Sequence, residues 1–148
     1  MAYQSKRALI SLITSLLVFF YMFSSLLGKI DSTGQMSPEA FTLWGRFFFQ
    51  LILVQVVAKV IVFVIFNIIN AIITRESEPE ITDERDRLIE LKAVRNLSMV
   101  FGAGFFLAMG AVAFGQPLHT MFLIFAITMA INGLVLDGSY ILHYQRGY

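Results

Sequence analysis

From Ala8 to Gly28 the chain carries no charged side chain, and this is the first of four such apolar stretches. Phe47 to Ile73 is broken only by Gln50, Gln55, Asn67, Asn70 and a single charge, Lys59. Leu97 to Gly115 and Leu118 to Leu136 follow, both without a charge. A helix crossing the hydrocarbon core of a bilayer needs about 20 mostly apolar residues, and all four stretches are of that order. Lipid offers no hydrogen bonds to the backbone, so each stretch has to satisfy its own amides as a helix. The expected fold class is therefore all-α, an integral membrane four-helix bundle of two in–out–in hairpins. Its spans fall at about 8–28, 41–73, 97–115 and 118–139, within one membrane domain covering 1–148.

The connections agree with this reading. Ser37-Pro38-Glu39 reads as a helix start, with Ser as N-cap, Pro at the first helical position and an acid in the first turn. Gly115-Gln116-Pro117 leaves room only for a tight turn, so the last two helices have to be antiparallel neighbours. From Pro38 to Ile73 a continuous helix would run about 54 Å at 1.5 Å per residue. It therefore has to tilt, break near Asn67 or project beyond the bilayer. The first stretch is longer than a signal-peptide core and lacks a clean cleavage site, so it is expected to be retained.

Lys6, Arg7, Arg75, Arg85, Arg87, Lys92, Arg95 and Arg146 fall on one side of the four spans, against Lys29 and Arg46 on the other. By the excess of Lys and Arg in cytoplasmic loops, both ends and the charged segment 74–96 are expected inside. Trp44, Tyr21, Tyr140, Tyr144 and Tyr148 suit the aromatic belts at the two interfaces.

The composition, 57% hydrophobic and 14% charged, is outside the globular range. It also narrows the chemistry. The absence of cysteine removes disulfides, thiolate metal sites and iron–sulfur clusters. The two histidines, His119 and His143, fall at opposite membrane faces. No triad, phosphate loop or metal constellation is visible. An enzyme is not expected, and neither is a catalytic residue, a cofactor or a metal. A set of Asp83, Glu84 and Asp86 is a poor metal site, because neighbouring acids on a helix diverge and the bases between them neutralise the cluster.

Residues 76–80 are acidic and Pro-broken, which reads as a linker. Thr82-Asp83-Glu84 then has the form of an N-cap followed by acids that favour the positive end of a helix dipole. From Asp83 a helix runs into the third span. Asp83 with Arg87 and Glu84 with Arg87 are spaced as ion pairs, and Leu88, Leu91 and Val94 give an apolar edge. Two readings stand side by side. One is a solvated helix held at the headgroups by its bases; the other is a docking surface made by Asp83, Glu84, Arg85, Asp86, Arg87, Glu90 and Lys92.

The run Asp83-Glu84-Arg85-Asp86-Arg87-Leu88-Ile89-Glu90-Leu91-Lys92-Ala93 before a hydrophobic hairpin resembles small uncharacterised bacterial and archaeal membrane proteins. Those carry a D-E-R-D-x-x-I-E-x-K-A signature at this place. The resemblance covers about the C-terminal half of the chain. It implies four helices in a cytoplasmic membrane and, through the pairing of such proteins with helix-turn-helix regulators, a regulatory role.

Charges inside a span are costly, which makes them functional candidates. Lys59 and Asp137 stand at similar depth when counted from Pro38 and Pro117. They either pair between the second and fourth helices, snorkel to the headgroups, or serve transport. Gln50, Gln55 and Asn132 are expected to hydrogen-bond between helices. Gly104, Ala108, Ala111 and Gly115 form a small-residue stripe for close helix packing, within the chain or against another copy. The two hairpins also suggest a loose parallel repeat.

The function expected first is regulation or scaffolding, through a cytoplasmic partner bound by the charged helix 83–95. The alternative is a small oligomeric ion or solute transporter using Lys59 and Asp137. The partners expected are the lipid bilayer, a cytoplasmic protein and further copies of the chain, with no direct contact to nucleic acid.

Overall fold

The computed structural model describes residues 3–74 and 84–146, and among them the only regular structure is four α-helices. These are α1 (Tyr3–Thr33), α2 (Pro38–Thr74), α3 (Glu84–Ala113) and α4 (Leu118–Arg146). Each contains a stretch long and apolar enough to cross a membrane. The helix α2 continues through Asn67 without a break, so of the three ways to fit its length, interruption does not occur.

Both turns are closed by glycine in the left-handed region, where a side chain would be strained. Gly34 has φ 93°, and its N–H donates to the Ile30 carbonyl at 2.9 Å, ending α1. Ser37 Oγ then accepts the Ala40 N–H at 3.1 Å, capping α2 ahead of Pro38. At the second turn Gly115 has φ 78°. Its N–H reaches the Val112 carbonyl and that of Gln116 reaches Ala111, each at 2.9 Å, which together make a Schellman motif. Gly115 is thus an exposed helix stop, not the fourth member of a packing stripe. Its role is set by φ rather than by its place on the helix face.

The helices are ordered α2, α1, α4, α3 across the molecule. The central pair, α1 and α4, is antiparallel; α2 lies on α1 with a light touch on α4, and α3 packs on α4 alone. The two hairpins therefore meet along one line. Ser5, Ala8, Ser11, Ser15, Phe19, Leu26 and Ile30 are the buried line of α1. Toward α3 the helices approach closely at Gly104, where any side chain would overlap Thr128 Oγ1 and Cγ2. Ala108 and Ala126 are fully buried, so three members of the small-residue stripe (Gly104, Ala108 and the half-buried Ala111) face the same chain's α4.

Two regions fill the interior. Toward the turns, Phe19, Leu26, Ile30, Trp44, Phe47, Leu51 and Ala126 form the apolar core, with Phe48 and Phe122 against it. Trp44 is 0% exposed and forms a triangle of rings with Phe48 and Phe122, at centroid distances of 5.9 and 5.7 Å from them. It is not a belt residue. Its indole has an internal acceptor, since Nε1 donates to His119 Nδ1 at 3.3 Å, and this offsets the cost of burying that N–H. Tyr21, by contrast, is 77% exposed. Away from the turns the interior becomes polar. Apolar residues such as Val60, Ile61, Val64, Ile65, Ile68 and Ile72 cover the outside of α2, a surface compatible with contact with lipid.

Candidate functional site

The polar interior is built by three helices at one level. Asp137 on α4 is 5% exposed. Its Oδ2 accepts the Ser11 hydroxyl of α1 at 3.0 Å, and the Lys59 ammonium of α2 lies 3.8 Å from the same oxygen. The ammonium is close enough for a strong charge interaction but too far for a short hydrogen bond. Lys59 retains 26% side-chain exposure, so its charge keeps some contact with the surroundings. The cluster thus has one enclosed carboxylate, one partly enclosed ammonium and one hydroxyl.

Ser11 was not singled out from the sequence, yet it completes the site. The available signal is the series Ser5, Ala8, Ser11, Ser15, small or hydroxylic residues on one helical face, all of them buried. One turn from Ser11 toward the hairpins, Ser15 is also buried, and its Oγ has no hydrogen-bond partner. Beside it run Gln55 and Gly133, with a small cavity between them. Asn132 Oδ1 is similarly enclosed without a partner, and Gln50 faces outward. The interhelical hydrogen bonds expected of Gln50, Gln55 and Asn132 are therefore not formed among the described residues.

Below this level the helices are tied once more. Asn96 Nδ2 donates to Ser139 Oγ at 3.2 Å between α3 and α4. Arg7 of α1 lies over the Phe63 ring of α2 at 4.8 Å, a cation–π contact that anchors the guanidinium at the end of the apolar zone.

The start of α3 is held by α4. Tyr144 Oη donates to Asp86 Oδ1 at 2.7 Å, and Ile89 and Ala93 are fully buried on the same side. The rest of the helix points away. Glu84, Arg87, Glu90 and Arg95 are exposed, Lys92 is half-buried, and Leu88, Leu91 and Val94 form an exposed apolar edge among them. Of the docking residues read from the sequence, Asp86 is thus engaged within the chain. Asp83, with its spacing to Arg87 and its place in the acidic metal set, lies outside the described residues, as does the Arg85 side chain. Among the described residues no three His, Asp or Glu side chains gather as a metal site.

No known protein family, curated protein or solved structure matches this chain.

Proposed function

We propose that this protein is a non-enzymatic, multi-pass protein of a bacterial or archaeal cytoplasmic membrane. Its ends lie inside, and it holds the charged start of α3 out to a cytoplasmic protein, as a regulator or scaffold. The observation that carries the reading is the Tyr144–Asp86 hydrogen bond, with Ile89 and Ala93 buried behind it. These contacts fix one face of the helix on α4 and leave Arg87, Glu90 and Arg95 on the other. A surface that is already ordered loses less freedom on binding than a mobile charged loop would. Purification from native membranes in mild detergent, with mass spectrometry of what co-elutes, tests it. A stoichiometric soluble partner should appear, and should be lost in the Arg87→Ala/Glu90→Ala variant. Recovery of the protein without any soluble partner overturns the reading.

The second reading, an oligomeric ion or solute transporter, is favoured by one observation: the buried Asp137 with Lys59 and Ser11 around it. Intramembrane charges commonly mark ion pathways. Against it, the half nearer the turns is filled by Trp44, Phe47 and their ring neighbours, which close any path through one copy of the chain. Solute flux in proteoliposomes that disappears in Asp137→Asn would favour transport over docking.

A further inference from the structure

Each member of the Ser11–Asp137–Lys59 cluster has a counterpart one helical turn nearer the hairpins: Ser15 on α1, Gly133 on α4 and Gln55 on α2. The lower level is filled by a carboxylate and an ammonium. At the upper level the central helix contributes only a glycine, and the space left open is a cavity of about 10 Å³. Its polar lining comes from Ser15 and Gln55, and its apolar walls include Phe19 and Met129. Ser15 is 6% exposed. Its Oγ has no partner, although nearby Thr14 satisfies its hydroxyl by donating to the Ile10 carbonyl one turn back. Gln55, half-buried, makes no hydrogen bond among the described residues.

We infer that this cavity is a binding site for one water molecule, bridging the Ser15 hydroxyl and the Gln55 side-chain amide. The volume is at the lower limit for a single water, and on an otherwise apolar wall Ser15 and Gln55 supply the two polar partners that a buried water needs at least. A water here gives Ser15 Oγ the partner that no protein group supplies. It also joins α1 to α2 directly above the point where Asp137 joins both. The helices α1 and α2 are then tied at two successive levels, one ionic and one hydrated, while α4 is joined to them by polar contact only at the ionic one.

Gly133 supplies the test. A methyl group on it would stand 3.8 Å from Ser15 Cβ, an ordinary contact, so Gly133→Ala occupies the cavity without a clash. If water is bound, that methyl displaces it and strands the Ser15 hydroxyl. The melting temperature of the full-length protein in detergent should then fall by about 2–4 °C, the shift that loss of one buried hydrogen bond gives at this size. In a Ser15→Ala background there is no hydroxyl to strand, and the same substitution should leave the melting temperature unchanged or raise it. A shift of equal sign and size in both backgrounds overturns the inference: an equal rise means a dry void, an equal fall a steric cost. Should Gly133→Ala fail to fold, the cycle is run with Gln55→Leu and Ser15→Ala. A shared water makes the double variant no worse than the poorer single one, and additive losses overturn the site.

Discussion

Around Trp44 the helices are joined by aromatic rings; around Asp137, about 22 Å beyond Phe122 along α4 at 1.5 Å per residue, they are joined by three polar side chains. The two regions hold the same helices together by different means. The aromatic region relies on shape: Trp44 contacts Phe47, Phe48, Phe122 and His119 at ring-centroid distances between 5.5 and 6.0 Å. In a bilayer, lipid would be as apolar as these rings, and their gain there would come from close packing rather than from escape from water. The polar region relies on direction. One carboxylate oxygen receives a hydroxyl and faces an ammonium, and outside the cluster none of these groups would find an equal partner in hydrocarbon. Packing sets how tightly the hairpins adhere, and the polar contacts set how they align.

The sharpest way to break the comparison is Trp44→Ala, which empties the centre of the aromatic region. It should destabilise the protein by about 3–5 kcal/mol in a detergent unfolding titration, the range for removing a large buried aromatic side chain. Next comes Lys59→Met, which leaves Asp137 enclosed without its counter-charge. The expected loss is about 2–3 kcal/mol, less than for a fully buried pair because Lys59 is partly exposed. The double variant Lys59→Met/Asp137→Leu should recover most of that loss, since it removes the stranded charge as well as the pair. A double variant as unstable as the sum of both singles would mean that Lys59 and Asp137 are not coupled, and that the polar region does not join the helices through this pair. Gly104→Ala should cost about 1–3 kcal/mol by forcing α3 off Thr128, whereas Gly102→Ala, with open space around it, should be close to neutral. Equal effects at the two glycines would contradict the close approach. The smallest change is expected from His119→Phe, which keeps the ring but removes the acceptor of the Trp44 N–H. A loss of about 1 kcal/mol is the size of one hydrogen bond, and an unchanged midpoint would mean the indole finds another acceptor.

Helix number, turn positions and the common depth of Lys59 and Asp137 could all be read from the sequence, because run length, proline and glycine each act locally. Which face of a helix points inward could not. In a soluble helix the core side is apolar and the water side polar, and the difference reveals the face. Here the outer surface and the core are both apolar, so Phe47, buried, and Phe49, exposed, carry no distinguishing mark. Trp44 looked like an interfacial anchor for the same reason: an indole near a helix start suits a headgroup or an internal histidine equally well. The better inward markers were the small and hydroxylic residues of α1, where Ser5, Ser11 and Ser15 lie on one face. Gly115 was misread because the stripe of small residues runs to the helix end. Spacing alone does not separate a packing glycine from a stop.

The arrangement α2, α1, α4, α3 also sets an order in time. As the chain emerges, α1 and α2 can pair at once, but the residue that Ser11 and Lys59 both face is encoded 126 positions after Ser11. Until α4 is made, α3 has no other helix to pack on among the described residues, and the carboxylate that faces the Lys59 ammonium is not yet in place. The last helix is therefore the closing piece for both hairpins at once. A chain stopped before Leu118 would leave the α1–α2 hairpin and α3 with no packing between them, not a smaller version of the same protein.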